Sequence, residues 1–251
     1  MKLLPLCRGV APVPVRTLNR LARIAAAVLL TAGVLALASW QLRFILQHWA
    51  VFALLLLLAA LVLFFIHFEK STLSSREVGL ISILATLAAV SRVPFAALPS
   101  IQPTTFLTIV SGYVFGAQAG FMVGAVGALG SNFFLGQGPW TPFQMLFWGL
   151  AGASAGALGK YFPDVSRVGM TIFSASWGFL FGWLMNLFFV VCFIEPLTWS
   201  SILLAYAASF LFDCMHAFGN VCFYLLLGPS VIKVLQRFKA KITYTESQVP
   251  G

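Results

Sequence analysis

The segment FDCMHAFGNVCF places Asp213, His216 and Asn220 at i, i+3 and i+7, on one face of a helix. A carboxylate, an imidazole and an amide in that register can form a ligand-binding or gating stripe. Asp213 and His216 are one turn apart and within reach of each other. A second polar set comprises Arg92, Gln102, Asn132, Gln137, Trp140, Gln144 and Asn186. Amides both donate and accept hydrogen bonds, and Trp offers a flat face and one donor. Such a set suits a neutral, ring-containing organic molecule better than a bare ion. Each residue also has a plainer use, as a loop cap, an interface anchor or an interhelical bond.

Other chemistries lack their residues. GASAGALGKY is not a phosphate loop, because Ser154 stands where the first Gly is needed and Tyr161 follows Lys160. HExxH and GxSxG are absent. Asp213 is the sole carboxylate within an apolar span, so no carboxylate pair is available for acid–base work. The four cysteines, Cys7, Cys192, Cys214 and Cys222, show no CxxC or metal-like spacing. Structural thiols are expected, with no metal and no cofactor.

The elements that must position these residues are membrane helices. Of the residues, 61% are hydrophobic and 8% charged, and the mean hydropathy is +0.98. A soluble domain carries roughly a quarter charged residues. Lipid is therefore the expected solvent, and helices the expected spanning form, since each satisfies its own backbone. Apolar spans are read at 24–40, 49–67, 78–98, 104–117, 119–135, 142–159, 169–192 and 203–228. With the N-terminus inside, all of the 15 Lys and Arg except Arg43 and Arg92 fall in cytoplasmic segments. This predicts an even number of passes, both termini cytoplasmic, and a net charge of +9 that marks topology rather than a nucleic-acid surface. The first span also resembles a signal peptide ending in ALAS, but its long basic lead and the flanking Trp40 and Trp49 favour a retained helix.

The charged break HFEKSTLSSREVG divides the chain. Residues 1–70 read as a basic N-terminus and a two-helix hairpin, 77–230 as a six-helix substrate-binding membrane domain, and 231–251 as a basic cytoplasmic tail. The span near Pro103–Gly116 is short for a bilayer, and short or interrupted spans often mark binding sites. Before it, SRVPFAALPSIQP must leave the helix near Pro94. Small residues recur at Gly112 to Ala128, at Gly152 and Gly156, and at Ser174, Gly178 and Gly182, which predicts close helix packing. Ser82, Ala85 and Ala89 form a further narrow stripe, suited either to internal packing or to docking a membrane partner.

The run RVPFAALPSIQPTTFLTIVSGYVFGAQAGFMVGAVGALGSNFFLGQGPWTPFQM and the later FDCMHAFGNVCFYLLL resemble the substrate-binding S components of energy-coupling factor (ECF) vitamin transporters. The resemblance covers about residues 77–230. LGQGPWTP and the Asp-x-x-His-x-x-x-Asn helix carry it most specifically. It implies an all-α, six-helix bundle, here preceded by two extra N-terminal transmembrane helices. It further implies capture of a vitamin or precursor from outside the cell membrane, and partners comprising a transmembrane coupling subunit and ATPase subunits. The ligand pocket would be covered by the loops at 91–103, 135–141 and 193–201, with Gln137 and Trp140 in the middle one. An AxxxA pair, matched by Ala85 and Ala89, would dock the coupling subunit. Within the family the chain looks closest to members linked with cobalamin uptake. Two rivals use the same residues: an intramembrane lipid- or isoprenoid-modifying enzyme acting through Asp213 and His216, and a partner-free solute carrier.

Overall fold

The computed structural model describes residue 51 and residues 54–55, 57–66, 68–69 and 74–247, with side chains to 242. Contacts divide the chain into two units, Met1–Phe52 and Ala53–Gly251, and every helix described below lies in the second. The expected span at 24–40, the signal-like segment and the start of the 49–67 span lie outside the described residues. Among those described, a short apolar helix runs over Leu57–Ile66. Six helices follow: α1 Ser75–Arg92, α2 Thr104–Phe115, α3 Ala117–Leu135, α4 Thr141–Tyr161, α5 Arg167–Phe193 and α6 Trp199–Ser247. No strand occurs among the described residues. Among the described residues, three helices, α3, α5 and α6, are long and apolar enough to cross a membrane.

Helix α1 starts where Ser74 and Glu77 cap each other. The Ser74 hydroxyl accepts from the Glu77 amide at 3.3 Å, and the Glu77 carboxylate accepts from the Ser74 amide at 3.0 Å. Its buried face is Ile81, Leu84, Ala85, Ala88, Ala89 and Arg92, a helical stripe, while Ile83, Leu87 and Val90 are exposed. The helix stops at Arg92, six residues short of the expected 98. Val93 itself still holds helical φ and ψ, but Pro94 has no amide to continue the ladder. Instead, the Val93 amide turns back to the Val90 carbonyl at 3.1 Å.

Helix α2 is the centre of the bundle and packs on all five other helices. All of its residues except Tyr113 and Phe115 are buried. Its 12 residues span about 18 Å, less than a hydrocarbon core of about 30 Å. A single residue, Gly116, joins it to α3. Its φ of 97° lies where a Cβ is strongly disfavoured.

Glycines let α2, α3 and α4 cross at backbone contact. A Cβ on Gly112 or Gly120 would strike the Gly152 carbonyl, and one on Gly152 would strike the backbone of Gly120. The neighbouring hairpin of α5 and α6 uses the same device, with Gly178 against Ala217 and Gly182 against Asp213. Close approach replaces the hydrophobic drive that is missing between helices in lipid.

Helix α6 runs well past the expected end at 228, continuing through Pro229 to Ser247. Proline costs one backbone bond, but apolar packing beyond it keeps the helix going. Leu235 is buried, and Val231 and Ile232 pack on the core. On the same segment, the Lys239 ammonium donates to the Val114 carbonyl at 2.7 Å. The outer faces of α5 and α6 expose Ile172, Leu187, Leu204, Leu211, Phe218 and Leu226, the surface that lipid rather than water favours.

The stripe of Ser82, Ala85 and Ala89 does not face one way. Ser82 is exposed and donates back to the Val78 carbonyl at 2.8 Å. Ala85 and Ala89 are 2% and 6% exposed. They sit over Gly127 and Gly130 of α3, where added Cβ atoms would reach the Ala85 carbonyl and the Ala89 methyl. Leucine at 85 must push α1 from α3, and overpacking of this kind costs about 1–3 kcal/mol. We expect Ala85→Leu to lower the melting temperature of the detergent-solubilised protein. Ser82→Leu should leave it unchanged.

Candidate ligand-binding site

Arg92 closes α1 and is 8% exposed. Its Nε donates to the Gln102 side-chain oxygen at 2.7 Å, and one Nη donates to the Ser131 hydroxyl and the Asn132 side-chain oxygen, each at 2.8 Å. The guanidinium also lies 4.8 Å from the centre of the Trp148 ring. The loop before α2, the end of α3 and the middle of α4 thus meet on one cation.

Asn132 carries the network onward. Its amide nitrogen donates to the Thr141 hydroxyl at 3.0 Å and the Gln144 side-chain oxygen at 2.8 Å. Thr141 donates to the Gln137 side-chain oxygen at 2.9 Å, and Gln137 donates to the Leu129 carbonyl at 3.2 Å. Thr141 also accepts from the Gly138 amide at 3.3 Å. The short loop between α3 and α4 is therefore pinned by the amides that made its sequence conspicuous. Trp140 stands apart from this network. Its indole folds over Gly138 and is 39% exposed, while its carbonyl accepts the Gln144 amide at 2.9 Å.

Trp148 links the network to α6. Its Nε1 donates to the Thr105 hydroxyl at 2.8 Å, and that hydroxyl lies 2.8 Å from His216 Nε2. Phe181 stacks on Trp148 at 4.3 Å and meets His216 edge-on at 5.3 Å. Asp213 belongs to a different group. It accepts from Ser209 at 3.4 Å, and Ser209 accepts from Asn186. Asn220 donates to the Ser174 carbonyl at 3.1 Å. The Asn220 side-chain oxygen and the Thr108 and Ser174 hydroxyls are buried without a hydrogen-bond partner.

The expected Asp213–His216 contact is thus not made. Asp213 turns into the space left by Gly182 of α5, and His216 turns toward Thr105 of α2. A one-turn spacing allows contact but does not compel it when each side chain finds another helix. Of the other expected residues, Arg92, Gln102, Asn132, Gln137 and Gln144 share one network, while Asn186 joins Asp213 through Ser209. Sequence reading passed over Trp148, Thr105, Ser131 and Thr141. One signal was present: Thr141, Gln144 and Trp148 fall at i, i+3 and i+7.

Chemically, the arrangement is equipped to bind rather than to react. It offers a guanidinium, amides, hydroxyls and an indole face, with no paired acid and base. Among the described residues, no three His, Cys, Asp or Glu side chains gather to hold a metal. The amides now bond one another, so a ligand must exchange these bonds for its own. A cavity of about 480 Å³, lined by Tyr113, Gly116, Gly156, Lys160 and Lys239 among others, opens at the opposite end of the bundle, away from these groups.

Residues 76–234 match the family model described as ECF transporter, substrate-specific component. The chain belongs to that family. The match takes in α1 to α5 almost entirely and α6 through Val234. No curated protein and no solved structure gives a significant match. This S component is therefore a transport subunit of an ECF-type importer and a membrane protein, not an enzyme. S components bind small-molecule substrates and work with coupling and ATPase subunits. The polar network at the α1, α3 and α4 ends is the candidate place for such a substrate.

Proposed function

We propose that this S component captures a vitamin or vitamin precursor at the Arg92–Asn132–Gln144 network. The observation that carries the reading is the buried Arg92 guanidinium at the end of α1, with its amide and hydroxyl partners drawn from α3 and the loop before α2. A polar cluster this well enclosed is costly in a membrane bundle and by default functional. The loops 93–103, 136–140 and 194–198 would close over the ligand. Resemblance to members linked with cobalamin uptake favours a large, ring-containing ligand of that kind.

The distribution of Lys and Arg favours cytoplasmic termini and so an outward-facing network, in the cell membrane. After capture, the loaded subunit docks on a transmembrane coupling subunit, and ATPases drive its reorientation. On α1 the docking partner would meet Ser82, Thr86 and Val90, with Ala85 and Ala89 just behind them, setting the depth of the groove against α3.

We expect Gln144→Ala and Trp140→Ala to weaken binding of the small molecule that co-purifies with the parent. Gln144→Ala removes an acceptor for Asn132, and Trp140→Ala removes a ring at the loop. Mass spectrometry of the purified proteins reads the occupancy. Parent-like occupancy in both variants would overturn the assignment of the pocket.

A further inference from the structure

Among the described residues, the Arg92 guanidinium has no countercharge. The sequence contains six acidic residues: Glu69, Glu77, Asp164, Glu195, Asp213 and Glu246. Glu69 and Glu77 precede or begin α1, whereas Arg92 ends it, about 22 Å further along. Asp164 lies in the connection between α4 and α5, and Glu246 in the last turn of α6, both toward the opposite end. Glu195 is exposed in the loop before α6. Asp213 is turned against Gly182 of α5 and accepts from Ser209 of its own helix. Arg92 itself touches only neutral groups: Gln102, Ser131, Asn132 and the Trp148 face.

The donor pattern is incomplete in a directed way. A guanidinium carries five N–H donors in a planar fork. Three are used, by Nε and one Nη, and the second Nη makes no hydrogen bond among the described residues. The neutral partners aim and hold the fork without neutralising it. A buried charge left uncompensated is expensive, and a second charge arriving with the ligand relieves that cost.

We propose that the ligand is an organic anion, and that its carboxylate or phosphate pairs with the free Nη edge of Arg92. This refines the expectation of a neutral ligand from the surrounding amides. The amides would then read the uncharged remainder of the molecule. The inference rests on the network being the binding site.

The test uses the full-length protein in detergent. Small molecules released from the parent are identified by mass spectrometry. A panel of aromatic carboxylates and organic phosphates is then assayed for thermal stabilisation, each beside its neutral amide or alcohol. The parent should hold an acidic compound and prefer acid to neutral analogue by about 100-fold, the scale set by removing one partner of a buried charge pair. Arg92→Gln should abolish that preference, and Arg92→Lys should keep part of it. The preference is read within each variant, so a general loss of stability does not imitate it. Carboxylate and phosphate arms separate the two sources of charge. A neutral compound bound equally by parent and Arg92→Gln would overturn the anion and leave the binding reading standing. No compound bound by the parent would overturn both.

Discussion

Gly152→Leu is expected to leave almost no folded protein in detergent extracts, and Gly152→Ala very little more. A Cβ at 152 meets the carbonyl oxygen, carbonyl carbon and Cα of Gly120, which are backbone atoms with no rotamer to escape into. Gly112 and Gly120 in turn lie against Gly152, so separating α3 from α4 also disturbs α2, the helix that touches α1 and each of α3 to α6. Overpacking in a dense core costs about 1–3 kcal/mol and more when backbone must move. Total stabilities are only about 5–15 kcal/mol. Gly79→Ala is the matched control. It sits in α1 with nothing within 4 Å of an added Cβ, and alanine is the better helix former. Fluorescence-detected size exclusion and melting curves compare the two. Equal behaviour of Gly79→Ala and Gly152→Ala would refute the three-helix crossing.

Trp148→Ala should produce the second large effect. The side chain is 1% exposed, and emptying such a site costs about 3–5 kcal/mol. It would also strip Phe181 of its stacking partner, Thr105 of a donor and Arg92 of the ring beneath it. Trp148→Phe separates these roles. It keeps an aromatic face for Arg92 and Phe181 but cannot donate to Thr105, a loss of about 1 kcal/mol for one hydrogen bond. The phenylalanine variant should melt a few degrees below the parent and retain ligand. The alanine variant should lose most of both. If the two variants match in melting temperature and ligand occupancy, the indole is not the platform described.

The two effects differ in how far they could be read in advance. The glycine crossing was partly visible, since Gly112, Gly120, Gly152 and Gly156 repeat at close-packing intervals. What each repeat packs against was not visible. Ala85 and Ala89 show the same ambiguity, because a small residue suits an internal crossing and a docking face equally well. The structure covers them with Gly127 and Gly130 of α3, and only Ser82 of that stripe stays exposed. Trp148 was passed over because an aromatic residue amid Phe and Leu reads as ordinary core. Its role depends on Arg92 and Thr105, which lie 56 and 43 positions earlier and on other helices.

Composition by itself determined that this chain belongs in lipid, because 8% charged residues cannot clothe a soluble surface. Local chemistry determined the breaks: the Ser74–Glu77 cap, the stop before Pro94 and the turn at Gly116 all depend on neighbours within four residues. Tertiary structure decided which polar groups became one network. It gathered Arg92, Asn132 and Gln144 and sent Asp213 and His216 to different helices. The reason is that helical periodicity specifies which residues share a face but not which helix that face meets. In a bundle held by close packing, the partner decides where each hydrogen bond goes.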